Sequence, residues 1–214
     1  MTTYTEPYRS NEIISSECEG TLSRESVTIV AGSGTIVAGT VLGQITNAGT
    51  ATAAANAGNT GTGTVGTITV SAGAKPGAYK LTIIHAATDA GTFLLTDPIG
   101  LVVGSGTVAV AFSKGGLAFT LSDATDFVVG DGFTITVAAG SGKYAPYDDD
   151  NTNGTEVAAC IALENVDATA DVTCATLFRM AEYKADLLVW AGTNDAGDKT
   201  AGLADLAAKY LIGR

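Results

Sequence analysis

Between about residues 64 and 139 the chain passes through five or six short apolar-alternating runs: "TVGTITVSA", "GAYKLTIIHA", "GTFLLTDP", "GLVVGSGTVAVAF", "GLAFTLS" and "DGFTITVAA". Each is closed by turn chemistry, such as Lys75-Pro76-Gly77, Asp97-Pro98, Lys114-Gly115-Gly116 and Gly130-Asp131-Gly132. A period of two over short runs with regular turns cannot be satisfied by a helix, and it predicts a β-sandwich. Composition agrees: 27 glycines and only four prolines accompany abundant Thr, Val and Ala, a mixture that favours strands joined by tight turns. Tyr79, Phe93, Phe112, Phe119, Phe127 and Phe133 fall mostly at alternating positions that read as core.

The flanks differ in character. Residues 1–20 have no helical period and too little apolar content to fold alone, and read as an extended arm. From Val27, "SVTIV" and "TIVAGTVLGQIT" read as two short strands around a turn at Gly32–Gly34, with a bend at Gly39. Residues 47–66 are Gly/Ala/Thr/Asn of low complexity and read as a linker or loop. After Gly154, "TEVAACIALENVDA" and "DVTCATLFRMAEYKADLLVW" read as two more strands. Near the end Leu203, Leu206, Ala207 and Tyr210 fall at helical spacing, with Asp198 or Thr200 able to cap, which predicts a helix at about 200–210 and then a short strand. The 214 residues suffice for one large or two small domains without staples.

Several function classes are disfavoured. The net charge of −11 repels phosphate backbones, which argues against nucleic acid as a partner. No apolar stretch approaches the roughly 18 residues of a membrane span, and the N-terminus lacks the pattern of an export signal. Cys18, Cys160 and Cys174 are odd in number and lack metal spacing, so neither a disulfide framework nor a zinc site is expected. "VTIVAGSGTIVAGTVLG" invites a dinucleotide reading, but no helix follows Gly34 and no acid stands about 20 residues on. Asp149, Asn151, Asn153 and Gly154 match the start of a calcium loop, yet Cys160 stands where the bidentate Glu belongs; residues 148–156 read as a solvated turn, and no metal is assigned. The lone His85 lies in a strand without a catalytic elbow. No enzyme and no cofactor are expected, and Trp190 reads as a core or subunit-interface anchor.

Two separated blocks, "LSRESVTIVAGSGTIVAGTVLGQIT" (22–46) and "KYAPYDDDNTNGTEVAACIALENVDAT" with "VTCATLFRMAEYKADLLVW…LADLAAKYLIGR", together resemble the head decoration proteins of tailed bacteriophages, the family of the lambda capsid-stabilising protein. The resemblance rests on the Ser-Arg-x-x-Val-Thr-Ile opening, the Ala-Gly-x-Val-Leu-Gly turn, the Lys-Tyr-x-Pro-Tyr segment and the arginine-containing strand leading to Leu-x-Trp. The expected fold is mainly β (β-rich α+β): a small decoration domain with one C-terminal helix over 21–56 and 143–214, and an inserted Ig-like β-sandwich over 57–142. The resemblance implies a homotrimer on the outer surface of the expanded head, made in the host cytoplasm, at three-fold and quasi-three-fold sites, stabilising the shell against DNA pressure. Its partner would be the major capsid protein. A capsid-binding arm over 1–20 would present Tyr4, Pro7, Tyr8, Arg9, Glu12, Ile13 and Ile14. Ser23, Arg24, Gly39, Leu42, Gly43, Tyr144, Pro146 and Trp190 are the decoration-domain and trimer candidates. A second expectation makes the insert an adhesin for a host-surface glycan.

Overall fold

A computed structural model describes residues 10–71 and 73–214. The chain is mainly β with one C-terminal helix of any length, and it divides into two compact units, residues 1–45 with 142–214 and residues 46–141.

The first unit is woven from both ends of the chain. Its centre is a closed barrel in the order Tyr144–Pro146, Arg24–Ile29, Val172–Leu177, Ala158–Ala162, Val41–Gln44. Two of these strands precede the second unit in sequence and three follow it, so neither half can close the barrel alone. Closure leaves no free barrel edge. Ile29, Leu42, Cys160 and Cys174 are wholly buried in one cluster with Ile36 and Tyr144, and a second cluster gathers Ile13, Val41, Tyr147, Ile161, Tyr183 and Leu206. Burial pushes the Cys160 thiol up to about 12, as expected for an inert core thiol.

The second unit has a five-stranded sheet, in the order Val102–Thr107, Thr92–Thr96, Gly77–His85, Gly132–Ala139, Asn47–Ala55, and a four-stranded one built on Ala111–Lys114, Leu117–Thr125 and Thr62–Val65, with Thr69–Val70 pairing to the same central strand. Alternation selects the core: Tyr79, Leu81 and Ile83 are buried while the alternate residues Lys80, Thr82 and Ile84 are exposed. Phe93, Phe112 and Phe119 pack with ring centroids 5.1–5.9 Å apart, and Phe127 meets Phe133 edge-on at 5.8 Å. Asp131, 3% exposed, accepts from the backbone N–H groups of Thr60, Gly61 and Val128. It thereby fixes two loops from one carboxylate.

Four sequence expectations change. The stretch expected as a linker contains a nine-residue strand, Asn47–Ala55, paired antiparallel to Gly132–Ala139; its hydrogen bonds come from the partner strand, which composition does not reveal. The boundary therefore lies at residue 45, ahead of the expected 56. The arm does not extend to residue 20: Ser10–Ile13 form a helical turn, Ile14–Glu17 pair with Ala181–Tyr183, and Ile13 is wholly buried. Residues 154–190 supply four strands rather than two, and a 3₁₀ turn at Ala185–Leu187.

The helix, Ala196–Ala208, starts earlier than expected because Asp195 caps it reciprocally with Asp198. It buries Gly202 and Leu206, leaving Leu203, Ala207 and Tyr210 exposed. Gly202 sets this phase, since a Cβ there would stand 2.8 Å from the Trp190 ring.

Candidate functional site

Strand Ile14–Glu17 forms one edge of a three-stranded sheet, with Ala181–Tyr183 in the middle and Leu211–Gly213 on the other side. Two adjoining grooves of about 320 and 350 Å³ open on this part of the first unit and share Met180 and Tyr210. Tyr210 is 71% exposed, Met180 43% and Ile212 38%. Large apolar side chains exposed together mark an interaction surface far better than scattered ones do.

The backbone beneath them is strained. Met180 and Tyr210 both take positive φ, 51° and 61°, a region unfavourable to side chains of this size by about 1–3 kcal/mol each. They are held there by hydrogen bonds from Met180 N–H to the Lys209 carbonyl and from Ala181 N–H to the Tyr210 carbonyl. Ser23, itself buried, donates its hydroxyl to the Met180 carbonyl at 3.1 Å. The surrounding fold thus enforces the presentation of two apolar side chains to solvent.

Arginine–carboxylate pairs surround the apolar centre: Arg24 with Glu17 at 2.7 Å, Arg179 with Glu25 at 2.9 Å and Arg214 with Glu182 at 2.5 Å. The hydrogen-bonded guanidinium of Arg24 holds the Glu17 carboxyl below its usual range, and Arg214 does the same for Glu182. Exposed pairs of this kind contribute little to folding. Their larger effect is local: in a chain of net charge −11, these three acids are neutralised. Arg179 and Lys209 also approach the Phe178 ring, at 5.0 and 5.1 Å from its centroid. An apolar centre inside a charge-balanced, arginine-rich rim is the anatomy of a docking surface.

The other expected site residues distribute differently. Tyr4, Pro7, Tyr8 and Arg9 lie outside the described residues. Glu12 is exposed, Ile14 half-buried and Ile13 in the core. Ser23, Leu42 and Tyr144 face the unit's interior, while Pro146 and Trp190 are half-buried, Trp190 packing edge-on against Tyr147 at 5.6 Å. Gly39, at φ +95°, has no room for a Cβ beneath the Leu187 carbonyl. Gly43 sits within strand Val41–Gln44 rather than at a bend, and the backbone of Thr155 occupies the space of its missing side chain. Only Arg24 joins the rim; Met180, Tyr210 and Ile212 carried no sequence signal, because nothing in a single chain distinguishes an exposed from a buried apolar residue near a helix end.

The 148–156 segment closes on itself. Asn151 and Asn153 bond to Thr155, and Glu156 accepts from Gly154 N–H. In the second unit, carboxylate oxygens of Asp89, Asp123 and Asp126 come within 4.8 Å of one another. All six Phe and Tyr side chains of that unit are buried, which leaves no aromatic platform for a sugar there.

The first unit is thus a β-rich domain with an exposed apolar face ringed by arginine–carboxylate pairs. The family model of the bacteriophage lambda head decoration protein D matches residues 3–91 and 64–211, and the chain belongs to that family. The family is structural and non-enzymatic, and membership gives the chain a role in capsid decoration and a place on the virion. No curated protein matches. Among solved structures, FlgL of Xanthomonas campestris is similar at 25% identity over 48% of this chain and 33% of that one, TM-score 0.34. FlgL of Legionella pneumophila follows at 18% identity, 47% and 37% coverage and TM-score 0.35. FlgK of Burkholderia pseudomallei gives 22% identity, 64% and 23% coverage and TM-score 0.33. The chain spans between about a quarter and two fifths of the length of these flagellar proteins.

Proposed function

We propose that the protein binds the outer surface of the expanded phage head as a homotrimer at three-fold and quasi-three-fold sites, and that it holds neighbouring capsid subunits together against internal DNA pressure. The first unit is the decoration domain; the second is an Ig-like sandwich inserted into one of its loops and displayed by it. The major capsid protein is the partner. The observation that carries the reading is the combination of family membership with the Met180–Tyr210 face, where strained backbone is retained to expose apolar side chains. Strained backbone clusters at functional sites, and here it coincides with exposed apolar side chains.

The face adjoins strand Ile14–Glu17, and the residues ahead of that strand in sequence are proposed as a second capsid contact. Extended main chain can add to a sheet edge of the shell, with Tyr4 and Tyr8 as anchors. Three copies in one trimer multiply a modest contact per chain.

Co-sedimentation with expanded and unexpanded heads tests this. Asn tolerates positive φ far better than Met or Tyr, so M180N and Y210N are expected to fold at least as stably as the wild type while losing at least tenfold in head affinity. Binding retained by both variants would remove this face from the proposal. Deleting residues 1–9 is expected to weaken binding without changing the oligomer.

A further inference from the structure

From Ser26 to Ala74 the chain contains no charged residue, and two strands from this stretch, Asn47–Ala55 and Thr62–Val65, end the two sheets of the second unit. Natural proteins protect such edges with lysine, proline or an inward charge. None of these three occurs in "NAGTATAAA" or "TGTV"; a register irregularity between Asn47 and Ala51 interrupts one end of the longer strand and leaves residues 51–55 as its regular edge. Among the described residues, strand Asn47–Ala55 pairs only with Gly132–Ala139, in regular register over residues 51–55; Gly49 N–H bonds to the Asn47 side chain, and within 51–55 every second residue turns its main-chain N–H and C=O to the outer side.

The sandwich is also open beside this edge. Ala51, Ala53 and Ala55 stand opposite Val137, Ile135 and Phe133, three buried residues, and so lie on the inward face. Yet Ala53 and Ala55 are exposed. They line, with Gly63, Val65 and Phe133, a groove of about 200 Å³ between the two sheets. The edge therefore offers both an unpaired ladder and a seam that incoming side chains can fill.

We infer that this edge pairs antiparallel with the same strand of a second copy, joining inserted units of neighbouring molecules across a two-fold axis. Electrostatics selects the occupant. Any two copies of a chain with net charge −11 repel except where they meet through uncharged surface, and this strand has no charge to be matched by a basic or acidic partner. Self-pairing centred on Thr52 is also compatible in pattern: Thr52 meets Thr52, Thr50 meets Ala54, and the inward Ala51 meets the inward Ala53. Small alanines leave the strands free to approach, and a cross-strand Thr–Thr pair is favourable. Such a contact is isologous and closes on itself. One strand pair is a small interface, so it is weak between free molecules and becomes effective where many copies are held side by side.

The full-length protein tests this without any capsid, so its failure and that of head binding are separable. In a Cys18→Ser background, Thr52→Cys is expected to form a disulfide-linked dimer on mild oxidation at least tenfold faster than Thr136→Cys. Thr136 is exposed on the neighbouring inner strand, opposite Thr52, and reports random collision. Equal rates, or no dimer through position 52, would overturn the inference. In the unmodified protein, hydrogen exchange of the outward amides within residues 51–55 is expected to slow on concentration, and A54K is expected to abolish the effect. Exchange independent of concentration, or protection that arises only when heads are added, would overturn it equally.

Discussion

Leu42 is wholly buried in the barrel, in a strand paired on one side to Tyr144–Pro146 and on the other to Ala158–Ala162. Leu42→Ala removes three carbons from a cluster that includes Ile29, Ile36, Tyr144 and Cys160. The lost transfer energy is roughly 2–2.5 kcal/mol at about 0.8 kcal/mol per carbon. A residual cavity in a closed barrel, whose walls cannot collapse freely, adds about 1–1.5 kcal/mol. The sum, roughly 3–4 kcal/mol, shifts a urea midpoint by about 2 M at a slope of about 1.5–2 kcal/mol/M. The assay is fluorescence of Trp190, the one tryptophan of the chain, which lies in the same unit more than a hundred residues downstream. If the barrel is built from both sides of the second unit, a change at residue 42 must move the Trp190 transition. An unmoved Trp190 transition, or a loss below about 1 kcal/mol, would refute the two-sided barrel.

Gly39→Ala places a side chain at positive φ against the Leu187 carbonyl, and a loss of roughly 2–4 kcal/mol in the same urea assay is expected. Asp195→Ala removes the reciprocal cap of helix Ala196–Ala208 and is expected to cost about 1 kcal/mol, read by thermal unfolding. Burial raises the Asp131 carboxyl, but N–H donation from Val128, Thr60 and Gly61 outweighs it and leaves its pKa lowered. Its stabilisation is therefore present above the unfolded-state value of about 3.9 and is lost as pH falls through the folded-state value. Asp131→Asn is expected to destabilise by about 2–4 kcal/mol near pH 6, with the gap to wild type narrowing below pH 4 in calorimetry; a gap constant with pH would contradict this.

What the sequence disclosed follows from where structure is locally encoded. The mainly β class was legible because alternation such as Tyr79–Leu81–Ile83 is local, and the C-terminal helix because Leu203 and Leu206 show its period. Strand Asn47–Ala55 was not: apart from two threonines it is alanine, glycine and asparagine, which are depleted in strands, and Gly132–Ala139, some eighty residues away, supplies the pairing. Ile13 was misplaced in an arm because its burial depends on Tyr183 and Leu211. The helix's buried face was misjudged because Gly202 has no apolar side chain to reveal it, although the Trp190 ring packs there. The docking face depends on Met180 and Tyr210 meeting through backbone geometry, which no spacing in one chain encodes.

Cryo-electron microscopy of expanded and unexpanded heads incubated with the purified protein tests the central claim most directly. The account predicts three-fold symmetric density on the outer surface of expanded heads, with the Met180–Tyr210 face against the capsid protein and unexpanded shells bare. Expanded heads without added density, or equal occupancy of both kinds of shell, would contradict it.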